Sequence, residues 1–597
     1  MLRINNIFFF FVSLLLMENE GRSIVILYGS ETGSSQDLAE NLARQAKRRH
    51  FKTRVYAMDD YDRSQLVDEK LVVFICSTAG QGDEPANMKS FWRFLLRKNL
   101  PNDILSDIDC AVVGLGDSSY RNFNYPSKKL YKRLLQLGAN MLLERCDCDD
   151  QHYLGVDGAF IPWTAQFWNI VMDKYPTSKP ILSEDVLLPP TFRIELLSSD
   201  ATIPVRQQQQ QQQQQGIDMK VIQNTRITAP DHFQDVRHIE LASDQLAYQP
   251  GDIAVIMPQN LREEVDVFLD LMGWSEYADQ IIRITPNEEA VLPWPEQLKF
   301  RDLFIHHLDI FGVPRRSFFE MLAYFTKDEN LKERLREFSS PEGQEDMWNY
   351  SLRPRRTITE VLFDFQPLEI PLDYILDVFP QLKPRSFSIA SSIKAHPGRM
   401  ELCVAIVKYK TNLKRIRRGV MTKWLATLVP GDIIPGVVIM KGTMSLPPAD
   451  TPLIAIGPGT GVAPMRSFIE ERVTIGTKQN VLFFGCRYHD KDFYYQDQWS
   501  AYQDKGQLVL YTAFSRDQRG KVYVQDRILE QSSLLWDLID QQGAKVVLSG
   551  STGKMPDQVA YAFKQIFMKE GGLSAQESEA YFSLLVKRGQ YQEECWS

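Results

Sequence analysis

Three apolar runs, "SIVILYG", "LVVFICST" and "CAVVGLGD", each lead into a stretch with helical spacing: "LAENLARQAKR", "FWRFLLRK" and "KKLYKRLLQLG". Strands that alternate with helices are joined by right-handed crossovers, which imposes a parallel sheet with helices on its faces. The pattern opens at Ser23, closes near Lys174 after "FWNIVM", and returns from "TPLIAIGPG" to the end. Between the two blocks, "TFRIEL", "DVRHIEL", "DIAVIM", "RSFSIASS" and "ELCVAIVKYK" read as strands of an antiparallel barrel. A helical stretch from about Leu261 to Phe365 is inserted in that barrel. The fold class expected is therefore multidomain α/β: a doubly wound domain, an antiparallel β-barrel with a helical insertion, and a second α/β domain.

A length of 597 residues corresponds to about four domain-sized units. The expected boundaries are an apolar N-terminal extension at 1–22, a first domain at 23–174, and a proline-bearing linker at 175–190. A barrel domain at 191–450 and a last domain at 451–597 follow. Glutamines 207–215 are low-complexity sequence and read as a loop without a catalytic role. The apolar segment "INNIFFFFVSLLLM", 4–17, would span roughly 21 Å as a helix, short of the ~30 Å hydrocarbon core. Its reading is an extension, with Met17 as initiator, and a membrane association is not expected. A net charge of −8 without a long Lys/Arg tract argues against nucleic acid as a partner. Seven scattered cysteines suggest no disulfide framework, which favours a reducing compartment, and Cys146 and Cys148 lack the second pair of a zinc site.

In a doubly wound sheet, ligands bind outside the carboxyl ends of the strands. Polar or glycine-rich loops stand at three such ends of the first domain: "SETGSS" (30–35), "STAGQGDEP" (77–85) and "LGDSSYRNFN" (115–124). The first offers hydroxyls and, at the start of a helix near Gln36, free N–H groups for a phosphate. It has no Lys and no G-x-x-x-x-G-K-[ST] pattern, so a monophosphate suits it better than a triphosphate. Tyr120 offers an aromatic face for a planar ring, and Asp150 could accept a ribityl hydroxyl.

In the barrel, Arg385 of "RSFSIASS" would pair with a pyrophosphate, and Ser386 and Ser388 stand two residues apart on one strand. Gly419, Val420, Met421 and Thr422 of "RRGVMTKWL" could offer amides at a helix start to the same group. The last domain opens on the glycine turn "IGPGTGVAP", which contains Thr460, and carries "SRDQRGKVYVQ" at 515–525. There Arg516 and Lys521 lie near Ser515 and Tyr523, cations suited to the 2′-phosphate of NADPH.

The first domain resembles a flavodoxin, and the whole chain after Met17 resembles NADPH-dependent diflavin oxidoreductases of the cytochrome P450 reductase-like family. The resemblance implies that Ser30, Glu31, Thr32, Gly33, Ser34 and Ser35 hold the FMN phosphate. Ser77, Thr78, Ala79 and Gly80 would flank the isoalloxazine, together with Leu115, Gly116, Asp117, Ser118, Ser119, Tyr120, Arg121, Asn122, Phe123 and Asn124. Related reductases carry a tyrosine at the position of Ala79. The R-x-[YF]-S and G-V-x-T elements of ferredoxin-reductase-type domains match Arg385–Ser388 and Gly419–Thr422, with Phe387 where several relatives have Tyr; Arg355 of "RPRRTI" corresponds to a further FAD contact. "SRDQRGKVYVQ" resembles the family's NADPH signature, which brings in Val522, Val524 and Gln525. Trp596 resembles the C-terminal aromatic that covers the FAD ring. Ser549 stands where relatives have Cys, Glu594 where they have Asp, and with Ser388 these residues are expected beside the hydride path.

The activity implied is hydride transfer from NADPH to FAD, then single electrons to FMN and on to a protein acceptor; no metal is expected. Within the superfamily, the cytosolic branch that reduces anamorsin in iron–sulfur cluster assembly reads closely like this chain at "FSIASS" and "NMKSFWRFLLRKNLP". A cytochrome P450 reductase would need an anchor and spacer, and a nitric oxide synthase would need a haem domain, for which these residues leave no room. The alternatives are a donor to a haem protein and a flavin-binding scaffold without turnover. Cytoplasmic location follows from the branch.

Overall fold

A computed structural model describes residues 22–80, 82–120, 122–198, 203, 216–287, 292 and 294–596. The N-terminal apolar run, glutamines 207–215 and Arg121 lie outside the described residues. The chain forms two compact units: the chain up to Ile203 together with Leu261–Lys383, and Pro204–Asn260 together with Pro384–Ser597. Strands are numbered along the chain.

The first unit holds a parallel sheet of β1 (Ser23–Gly29), β2 (Lys52–Ala57), β3 (Leu71–Ser77), β4 (Asp109–Gly116), β5 (Asn140–Met141) and β6 (Cys146–Asp149). Its order is β2-β1-β3-β4-β5, with β6 also paired to β4. Strands β1 and β3 are buried along nearly their whole length, because helices cover both faces. One face packs on the helices Ser34–Arg48 and Asp157–Lys174, the other on Lys89–Leu95 and Tyr125–Gln136.

The same unit holds the inserted helices, packed around an aromatic core in which Phe268 meets Phe304 at 5.2 Å and Phe379 at 5.5 Å between ring centroids. Here the structure departs from the sequence reading. The run "TFRIEL" forms β7 (Phe192–Leu196), which belongs not to the barrel but to a small antiparallel sheet, β12-β11-β7. Its partners β11 (Ile281–Pro286) and β12 (Gln297–Lys299) come from within the insertion, and Ile194 is buried in the insertion's core. The insertion is thus not purely helical, and its helices continue past Phe365 to Val378.

The helix Ser34–Arg48 lies against this insertion. Arg48 donates to the carbonyls of Ser183 (2.6 Å) and Val186 (2.8 Å) and to the Tyr324 hydroxyl (2.8 Å). Arg44 pairs with Glu320 at 3.5 Å, Arg316 pairs with Asp157 at 3.4 Å, and the Ser317 hydroxyl donates to Asp37.

In the second unit, β8 (Ile217–Arg226), β9 (Val236–Ala242), β10 (Ile253–Ile256), β13 (Arg385–Ser388), β14 (Arg399–Ala405) and β17 (Ile433–Met440) form an antiparallel sheet ordered β13-β10-β17-β8-β9-β14. A bridge between Ile389 and Leu402 joins its two edges, closing it into a barrel. A hairpin of β15 (Lys408–Lys410) and β16 (Ile416–Arg418) follows β14. The parallel sheet β20-β19-β18-β21-β22 completes the unit, from β18 (Leu453–Ile456), β19 (Asn480–Cys486), β20 (Val509–Phe514), β21 (Lys545–Ser551) and β22 (Tyr591–Trp596).

Candidate functional site

The "SETGSS" loop leaves β1 and enters its helix at Ser34, two residues before the expected start. Gly33 is the N-cap, with φ of 90°, and no side chain caps the helix. The left-handed φ explains the glycine, and the uncapped amides make the loop an anion cradle. Ser30 Oγ accepts from Gly33 N at 2.9 Å and holds the turn closed. The Ser35 hydroxyl is buried and has no partner, so a group arriving at the cradle meets an unused donor. Glu31 is the exception among the six residues: its carboxylate accepts from Ala86 N at 3.0 Å and fixes the neighbouring loop, as befits an anion at an anion site.

The two ring loops are built against each other. Thr78 donates to Leu115 O through its amide (2.8 Å) and hydroxyl (3.0 Å). Ala79 and Asp83 exchange backbone bonds of 2.9 and 2.8 Å, with Gly80 at φ 45° and Gly82 at φ 106° in the turn. A Cβ on Gly82 would come within 2.5 Å of Asn122 Cβ, so only glycine lets the loops meet. Asp149 accepts from Ser118 N at 2.9 Å, and Asp117 accepts from Ser119 N at 2.8 Å, ordering the loop around half-buried Tyr120. Asn124 is buried, donates to Cys148 O at 3.1 Å, and has an Oδ1 without a partner. Asp150 follows β6 and is exposed. A planar ring with a phosphate tail fits this set: an uncapped amide cradle at one end and two touching loops with one aromatic at the other.

In the second unit, β13 places Arg385 and Ser386 exposed and Phe387 and Ser388 half-buried. Gly419 is the N-cap of the helix Val420–Thr427, which no side chain caps. The Thr422 hydroxyl accepts from Val407 N at 3.0 Å and anchors this helix start to the strand connection. An uncapped helix and an exposed guanidinium suit a pyrophosphate. Arg355 belongs to the first unit, exposed, in a turn with φ 53°.

A cleft of about 690 Å³ opens at the carboxyl ends of β18, β19 and β20. Gly459 and Thr460 of the glycine turn, Ser515, Tyr523, Val524 and Gln525 line it. A Cβ on Gly461 would lie 2.0 Å from Ser549 O, so the turn needs glycine to pack on β21. Arg516 hydrogen-bonds through its backbone amide to Arg487 O at 2.9 Å. The structure adds two cations the sequence reading left out, Arg487 and Lys554, both lining the cleft. Burial, and then the neighbouring Arg516 guanidinium, push the Arg487 pKa down. Lys521 is exposed and does not line the cleft, and neither does Val522. The signal for Arg487 was present in "FFGCR"; Lys554 opens the helix Lys554–Gly571, far along the chain after β21.

Ser549 is fully buried on β21, and its hydroxyl has no partner. In register with it on β22 is Glu594, which accepts from the Thr443 hydroxyl at 3.2 Å, and Ser551 is in register with Trp596. The Trp596 carbonyl accepts from Thr552 N at 2.8 Å, and its side chain remains 38% exposed. Among the described residues, one acidic cluster has metal-like spacing: His238, Glu240 and Glu401 within 4.8 Å. Arg399 pairs with Glu240 at 2.5 Å and Arg466 with Glu401, so ion pairs account for both carboxylates.

Three family models match: a flavodoxin over residues 26–163, an FAD binding domain over 209–424 and an oxidoreductase NAD-binding domain over 455–560. The chain is 45% identical to NADPH-dependent diflavin oxidoreductase 1 of Danio rerio, over 97% of this chain and 100% of that one. The protein of the same name from Mus musculus is 44% identical (96% and 99% covered), and that from Schizosaccharomyces pombe 40% (96% and 99%). With FMN, FAD and NADP(H) domains in this order, the chain belongs to the NADPH-dependent diflavin oxidoreductase family.

Proposed function

We propose that this oxidoreductase delivers electrons to an iron–sulfur protein, most closely anamorsin, in cytosolic iron–sulfur cluster assembly. The supporting observation is end-to-end similarity to diflavin oxidoreductases of this one name, from yeast to vertebrates, rather than similarity confined to single domains. No helix among the described residues is long and apolar enough to cross a membrane. The two flavins and the nicotinamide supply the redox chemistry, stepping from hydride to single electrons.

The chain's own residues bind and orient. In this reading the 30–35 cradle holds the FMN phosphate, and the 77–80 and 115–124 loops hold its ring within a domain at 23–174. Arg385–Ser388 and Gly419–Thr422 hold FAD on the barrel of the second unit. Thr460, Ser515–Gln525 and Arg487 hold NADPH in the domain at 451–597, with Ser549, Glu594 and Trp596 lining the hydride path. Exposed Ser118, Ser119 and Tyr153 leave the flavin edge of the first domain open to a protein acceptor.

The test is anaerobic: NADPH, catalytic amounts of this protein, and excess oxidised anamorsin. Loss of the iron–sulfur absorbance at a rate proportional to enzyme is expected. Reduction of a haem monooxygenase with anamorsin left oxidised would overturn the acceptor, and flavins that stay oxidised would mark a scaffold without turnover.

A further inference from the structure

The phosphate cradle of the first unit carries no cation of its own sequence, yet two cations reach it from the insertion. Arg315 Nη2 donates to Thr32 O at 3.2 Å and to Ser34 Oγ at 3.5 Å. Lys383 Nζ donates to Gln36 Oε1 at 2.6 Å. A Cβ built on Gly33 would lie 3.3 Å from Lys383 Cε and 3.6 and 3.7 Å from the two terminal nitrogens of Arg315. Both positive groups therefore converge on the residue that caps the helix. They approach from outside the flavodoxin fold: Arg315 just before the helix Arg316–Leu322, Lys383 at the end of the insertion.

We propose that Arg315 and Lys383 complete the FMN phosphate site, so that FMN is bound jointly by the flavodoxin fold and the helical insertion. A phosphate dianion at uncapped helix amides with serine hydroxyls gains from each added guanidinium or ammonium. Two cations at one helix N-terminus, where the partial charge is already positive, are otherwise poorly placed. Burial and the nearby Arg315 hold the Lys383 pKa below its usual value against the opposing pull of Glu40, and an anion between the two cations relieves that cost. The neighbouring contacts, Ser317 to Asp37 and Arg44 to Glu320, show that the two parts are packed well enough to set these side chains.

By linkage, FMN then tightens the packing of the flavodoxin fold on the insertion by the same factor that the packing tightens FMN. Riboflavin, which shares the ring and lacks the phosphate, has no such coupling.

The experiment uses the full chain, stripped of FMN with FAD retained, and titrated with FMN or riboflavin by quenching of flavin fluorescence. A hydrogen bond to a charged group contributes enough that Arg315→Ala should weaken FMN about 10- to 150-fold and leave riboflavin affinity unchanged. Lys383→Ala should act in the same direction, and Arg315→Lys should recover part of the loss. Salt should weaken FMN less in Arg315→Ala than in the parent. Unchanged FMN affinity in both alanine variants, or equal losses of FMN and riboflavin, would overturn the proposal. FAD content measured on each sample separates a local effect from a misfolded chain.

Discussion

At the scale of single residues, the proposed reading gives nucleotide selectivity to Arg487, which lines the cleft, and to Arg516 beside it. Arg516→Ala and Arg487→Ala should each raise the Michaelis constant for NADPH about 10- to 150-fold, the worth of a charged hydrogen bond, and barely alter NADH use. Steady-state kinetics with both nucleotides checks this, and equal losses would mean a collapsed loop. Lys521→Ala should cost less than Arg487→Ala, because its side chain is exposed and, unlike Arg487, does not line the cleft. Trp596→Ala should improve NADH turnover more than NADPH turnover, measured by stopped-flow flavin reduction. In the proposed reading the indole covers the flavin and must be displaced by the nicotinamide, and NADH lacks the 2′-phosphate contacts that offset this. The residue scale also shows where sequence reading stops. Gly33, Ser35 and Gly461 are legible because helix starts and tight turns impose local rules that spacing reveals. Arg315 is not, because it reaches Thr32 across 283 positions and only folding brings them together.

At the scale of elements, the packing of the barrel on the last parallel sheet rests on a buried ion network. Arg466 pairs with Glu401 and, at 3.3 Å, with Glu470, while His396 Nε2 lies 3.0 Å from Glu470 and Ser392 N donates to Glu470 at 2.7 Å. Removing one partner of a buried pair leaves an uncompensated charge, so Arg466→Met should cost about 3–5 kcal/mol in denaturant unfolding. The bond to Glu470 raises the His396 pKa against the effect of burial. For Glu470, burial alone would raise its pKa, but the bonds from His396 and Arg466 hold it below the usual carboxylate range. A histidine with a raised folded value stabilises the fold at pH below about 6.5, its unfolded value, and that contribution is lost as pH climbs through the folded value. The lowered glutamate contributes above its unfolded value and loses its part as pH falls through the folded one. Melting temperature against pH should therefore fall on both sides, and His396→Ala should remove the decline on the alkaline side. Barrel strands β9, β10, β13 and β14 were legible from their apolar spacing, but β8 and β17 were missed and β7 was assigned to the wrong sheet. Its five residues alternate like any barrel strand, and only pairing with β11 shows that they belong to the insertion. Strand spacing reports a face to bury, not the sheet in which it is buried.

At the scale of the whole molecule, the order of domains was legible because two parallel sheets flank one antiparallel barrel, and each type imposes its own period. The grouping of the insertion with the flavodoxin fold was not, since the contacts that create it lie in side chains such as Arg44, Arg48 and Ser317. FMN should leave before FAD on dialysis against salt, because Ala79 offers no second ring face and much of the phosphate's hold is electrostatic. Flavin analysis of successive dialysates checks the order, and FAD lost first would contradict it. The central claim is that one chain holds both flavins and reduces them from one nucleotide cleft. Anaerobic titration with NADPH, on protein whose FMN and FAD are quantified, tests it most directly. The account predicts near-equal FMN and FAD per chain and loss of oxidised absorbance from both. A chain that retains a single flavin, or one in which FMN stays oxidised while FAD is fully reduced, would contradict it.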